Sequence, residues 1–340
     1  MRRTILTILA AFALAGCRTA PPAPAAPPLW DLRIDPLIDL HSWARMLVFR
    51  PDERPGLPGL SEAIEALQQQ GDSRAWGIYD GSMIEASNAA DLARIAAELP
   101  ENVQSRSGQS IPMRERMTRL AQAYQKLEPP FRETLWPRHR ERAERVAAYL
   151  RRHLLPRSAE VFADLARSLD VSVPSTPIPV YLVAEAPFPR AVTSRSPAGP
   201  FSVVAPEGEP NNLWDEIVIH ETIHGLDVLS REGGALRELR RRLSAVPGAS
   251  PQEVEEHAHC LMFVQAAGTV RRVFDPAHKD YGDVAGVYGR LPKASPVVVP
   301  AWKDYLAGKI FRAAALDRIV QAYQKEKGAP QDALSRVGMP

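Results

Sequence analysis

The run "NNLWDEIVIHETIHGLDVLS", residues 211–230, constrains this chain more than any other stretch. An Asn N-cap opens it, and its aliphatic spacing is that of a helix buried around most of its circumference. Yet His220, Glu221 and His224 fall in its middle. Burying such groups costs free energy unless something satisfies them. Residues i and i+4 stack on one helix face, so the two imidazoles stand side by side, spaced for a single metal ion. Glu221 lies on the adjacent face, able to reach a water on such an ion without being a ligand. The alternative is a pair of core histidines satisfied by backbone carbonyls.

The rest of the chain gives this helix a setting. Residues 29–165 are mainly helical by pattern, as in "MRERMTRLAQAYQKL" and "RHRERAERVAAYLRRHLL". Two short strands follow, "IPVYLVAEA" (178–186) and "FSVVAPEG" (201–208), rich in β-branched and aromatic residues. The turn-rich "PFPRAVTSRSPAGP" between them reads as a surface loop. Helices resume through "GALRELRRRLSAV", "SPQEVEEHAHCLMFVQAAGTVRRVF" and a last pair over 300–326. The expected fold class is α+β and predominantly helical, with a helical region over 29–170 and a domain carrying the small sheet over 171–340. The net charge of +2 on 340 residues offers no steering field for nucleic acid, so no nucleic-acid partner is expected.

The amino terminus, "MRRTILTILAAFALAGC", has two arginines and then an apolar core too short for a permanent membrane span, as in an export signal. "LAGC" resembles the bacterial lipobox. The resemblance implies cleavage after residue 16, lipidation of Cys17 and membrane anchoring, with "RTAPPAPAAPP" completing an extended tether over 17–28. Arg18, where an inner-membrane protein would carry aspartate, favours the outer membrane facing the periplasm. The other cysteine, Cys260, lies in an apolar helix and reads as a core thiol.

"HETIH" resembles the H-E-x-x-H motif of the zincin metallopeptidases. That resemblance implies one Zn2+ on His220 and His224, Glu221 as general base, a zincin-like core with a small sheet and an active-site helix, and a peptide or protein substrate. It also implies a substrate-pairing edge strand, for which "FSVVAPEG" is the candidate. A catalytic zinc needs three protein ligands and an open position. The metzincin continuation is absent, because Gly225 comes too early and no histidine follows at its place. The gluzincin arrangement takes a Glu from a later helix, and "QEVEEHAHC" (252–260) supplies the candidates. Glu255, nearest the expected buried face, is the expected third ligand, with Glu256 as alternative. A histidine from this segment is the weaker option, and His259 is expected to orient another ligand or the substrate. Asp227 is a candidate to satisfy the N–H of a ligand imidazole. For the oxyanion, "HKDYGDVAGVYGRLP" offers His278, Tyr281, Tyr288 and Arg290, of which Tyr288 is preferred. The competing function is a non-catalytic lipoprotein, with or without zinc, acting as an envelope scaffold or interaction module.

Overall fold

Trp30 is buried and opens the first strand of the fold. In the computed structural model, which describes residues 29–328 apart from 69–72, 106–107, 189 and 231–232, that strand is β1 (Trp30–Arg33). The signal segment, Cys17 and the tether expected at 1–28 lie outside the described residues. β1 pairs in parallel with β4 (Ile178–Leu182), and β4 pairs in parallel with β6 (Gly199–Val204). β5 (Ala191–Ser196) lies antiparallel on β6 and ends the mixed sheet, whose order is β1-β4-β6-β5. A separate two-residue hairpin joins β2 (Val103–Gln104) to β3 (Ser110–Ile111).

Alternation along the strands divides the apolar side chains between the two faces of this sheet. Tyr181, Val183, Phe201 and Val203 face helices α1 (Pro36–Val48), α2 (Leu60–Gln68), α3 (Ser73–Glu85), α4 (Ala89–Glu98) and α5 (Met113–Thr134). Val180, Leu182 and Val204 face the larger core, formed by α6 (Trp136–His153), α7 (Ser158–Leu169), α8 (Asn212–Leu229), α9 (Ala235–Ser244) and α10 (Pro251–Val273). The short α11 (Tyr281–Val284) and α12 (Val287–Arg290) precede α13 (Ser295–Leu306) and α14 (Arg312–Glu326), which complete it. The fold is thus α+β and mostly helical. No helix among the described residues is long and apolar enough to cross a membrane.

The division drawn at residue 170 does not coincide with a division between cores. α6 and α7 belong to the core that holds α8 and α10, and β1 shares the sheet with β4. Asp39 of α1 bridges the same divide: one oxygen accepts the Ala184 N–H at 2.6 Å and the other meets His139 Nδ1 at 2.6 Å. The carboxylate is fully buried, so removing it strands two polar partners. Asp39→Ala is expected to lower the unfolding free energy by about 3 kcal/mol, read from the shift of a urea transition.

Candidate metal centre

α8 begins where the Asn211 side chain accepts the Leu213 N–H at 2.8 Å, and its buried face packs on β5 and β6. The Trp30 indole N–H donates to Thr222 Oγ1 at 2.7 Å, which ties the histidine helix to the first strand. α10 starts at a Ser250 cap followed by Pro251 and crosses α8 with its apolar middle turns. Two buried helices thus meet at a fixed height, and their polar side chains meet with them.

At that crossing three imidazoles converge. His220 Nε2 lies 3.2 Å from His224 Nε2 and 3.1 Å from His259 Nε2. One ligand atom from each of the three falls within 4.8 Å of the others, a group that can hold a metal ion. A tetrahedral ion with Zn–N bonds of about 2.0–2.1 Å separates its ligand nitrogens by roughly 3.3 Å. The observed spacings therefore suit such an ion. The donors are also in the required protonation state. Burial, reinforced by the other two rings, holds His220 well below the usual imidazole range. Burial, then His259 and Arg240, bring His224 down to about 3, and burial lowers His259 as well. Neutral imidazoles keep the lone pairs that a metal takes. His224 and His259 are half-buried, so the cluster has an open side.

Glu221 is buried beside this cluster. Thr193 Oγ1 lies 2.8 Å from its Oε2 and 2.9 Å from its backbone carbonyl, which fixes the carboxyl against β5. Burial raises its pKa to about 7, against the stabilising Thr193 contact. It shares a narrow pocket with His220, Glu216, Ile217, Ala191, Phe263 and Tyr281. Phe263, one turn after His259, stacks on the His220 ring with centroids 3.9 Å apart.

Glu255, expected as the third ligand, stands outside the cluster, and His259 takes that place. α8 meets α10 one turn later than the sequence suggests, at His259 and Phe263, which leaves the Glu255 side chain exposed beside α9. There Arg240 Nε donates to Glu255 Oε2 at 3.0 Å, while its Nη1 donates to both Asp227 oxygens at 2.9 and 2.7 Å. Asp227 is thus paired with Arg240, and among the described residues no contact to an imidazole of the cluster is seen. It joins Glu255 and Arg240 in tying together α8, α9 and α10. Glu256 accepts from Gln252 Nε2 at 2.9 Å and also lies outside the cluster.

Tyr288, the residue preferred for the oxyanion, also lies away from the cluster. Its ring lies in the core against Gly282, where a Cβ would meet it at 2.4 Å, and its hydroxyl points to Asp280 at 3.4 Å. The tyrosine that reaches the pocket is Tyr281, whose ring runs nearly parallel to Phe263, with centroids 6.3 Å apart. Its backbone N–H donates to Glu216 Oε2 at 2.8 Å, and the same oxygen meets His278 Nε2 at 2.6 Å. Burial raises both the Glu216 carboxyl and the Tyr281 phenol. Sequence reasoning missed Glu216 and Thr193. The signal for Glu216 was its position one turn before His220 on a helix buried all round; Thr193 carried none, since its strand was read as loop. Cys260 is a buried free thiol, as expected, and burial pushes it up to about 12.

Comparison with family models, with curated proteins and with solved structures finds no match for this chain.

Proposed function

We propose that the chain is a zinc-dependent hydrolase of peptide amide bonds, a zincin-like centre in which His259 stands as third ligand beside His220 and His224. The observation that carries it is the convergence of three neutral imidazole nitrogens, 3.1 and 3.2 Å apart, beside a buried carboxyl on the same helix. An all-imidazole donor set favours zinc over the oxygen-seeking cations. Bound there, zinc supplies a Lewis acid that polarises a carbonyl and brings the pKa of water towards about 7.

The chain's own residues do the rest. Glu221, poised near 7 by burial, takes the proton of the attacking water and returns it to the leaving nitrogen. Thr193 holds that carboxyl in one orientation, so its basic oxygen does not wander. Tyr281, protonated because burial raises its pKa, is a hydrogen-bond donor for the developing oxyanion. Glu216 and His278 position it by fixing its backbone. Phe263 and Ile217 form apolar walls that exclude water from the reacting groups. Export and lipidation at Cys17, which rest on the sequence alone, place this activity at an envelope membrane.

The test is metal-dependent cleavage. The zinc-loaded protein is expected to hydrolyse components of a mixed peptide library, to stop in chelator and to recover when zinc is restored. A zinc-loaded protein that leaves the library intact argues instead for a scaffold.

A further inference from the structure

The outer edge of β5 runs alongside the pocket that holds His220 and Glu221, and its backbone is unpaired there, although Ala191 is itself buried and Thr193 half-buried. Successive residues of an antiparallel strand alternate between bonding to their neighbour and pointing away from it. Ala205 donates its N–H to the Arg190 carbonyl at 2.8 Å, and the register runs from Ala191↔Val204 to Ser196↔Gly199. Val192, Ser194 and Ser196 therefore bond towards β6, and the backbones of Ala191, Thr193 and Arg195 point outward. Among the described residues, no backbone group pairs with the outward side of Ala191 or Thr193. Both border the centre, since Ala191 lines the pocket and Thr193 holds Glu221.

Arg195 is different, because α3 covers its carbonyl. A Cβ on Gly81 would lie 3.1 Å from that oxygen, so the close approach depends on glycine at this point of α3. The residue before Gly81 fixes α3 in place. Asp80 accepts from Ser194 Oγ at 2.8 Å and from Arg45 Nη1 at 2.8 Å, and lies 3.3 Å from His41 Nε2. Asp80 and His41 are both buried, so the stop is built into the core rather than into a loop.

An unpaired edge strand is a template for an extended chain. We propose, resting on the hydrolase reading above, that the substrate is a chain end: an extended peptide adds to β5 at Ala191 and Thr193, ends against α3, and is trimmed from its amino terminus. The direction follows from antiparallel pairing, the mode that β5 already makes with β6 and the more stable one per residue. A strand antiparallel to β5 has its amino-terminal side at Arg195. With the scissile bond opposite Thr193, the residue that holds Glu221, about 3.4 Å per residue leaves room for roughly one or two residues before α3.

The experiment uses the zinc-loaded protein and three forms of one peptide: linear with a free amino end, joined at its amino end to a folded protein, and cyclic. Products are read by mass spectrometry. Release of one or two residues from the free amino end alone is the expected result. Internal cuts, or cleavage of the cyclic form, overturn the stop at α3 and leave the hydrolase reading standing. Release from the carboxyl end overturns the antiparallel pairing. Cleavage of none of the three overturns both readings together. A second readout does not need turnover: zinc-loaded Glu221→Gln is expected to bind the free linear peptide at least tenfold more tightly than the blocked one in fluorescence anisotropy, and equal binding contradicts the stop.

Discussion

Glu221→Gln is expected to keep its metal and to lose hydrolysis by a factor of roughly 10² to 10⁴, the usual contribution of a positioned general base. Glutamine has the same length and can still accept from Thr193, so the side chain stays where it is. What disappears is basicity. The metal persists because Glu221 lies outside the nitrogen cluster, which comprises His220, His224 and His259. Burial raises the carboxyl's pKa to about 7, near the pH at which a general base takes and returns a proton. The check is kcat on a cleaved peptide beside metal content. Turnover close to the parent's removes the base assignment, and loss of metal makes the carboxyl a ligand.

His259→Ala is the other large effect. Removing one of three nitrogens is expected to weaken zinc binding by at least about 10²-fold, the upper end of what loss of an outer-sphere partner costs. Glu255→Ala is expected to leave zinc affinity near that of the parent, because Glu255 is engaged with Arg240 on an exposed turn. His259 is half-buried, and the stacking of Phe263 on His220 does not involve it, so the helix crossing should survive its replacement. Competition with a chromophoric chelator measures both variants. The reverse ranking, with Glu255→Ala the weaker binder, restores the carboxylate ligand.

The contrast between these two residues marks how far the sequence could be read. His220, Glu221 and His224 were legible because their relation is local: helix periodicity alone puts them together. The segment that completes the group was legible too, as a helix dense in carboxylates and imidazoles. Which of its residues faces α8 was not legible, because that depends on the height at which two helices cross. The crossing is set by packing of Phe263 on His220, a contact between distant parts of the chain. Glu255 and His259 share a face one turn apart, so an error of one turn exchanges them.

The sheet teaches the same lesson. β4 and β6 announced themselves by β-branched runs, whereas β1 has four residues, two of them charged, and is a strand only because β4 pairs with it. β5, "AVTSRS", lacks an apolar alternation and was read as loop. It becomes a strand through its two-residue turn to β6, which puts β5 rather than "FSVVAPEG" at this edge of the sheet. Tyr288 failed for a tertiary reason as well. Asp280 and Gly282 draw it into the core, while the Glu216 contact to its backbone turns Tyr281 to the pocket.

Anomalous diffraction at the zinc edge from crystals of the zinc-loaded protein tests the central claim most directly. One peak is expected, at about 2.0–2.1 Å from Nε2 of His220, His224 and His259. A peak ligated by Glu255, or no peak at the three imidazoles, would contradict that claim.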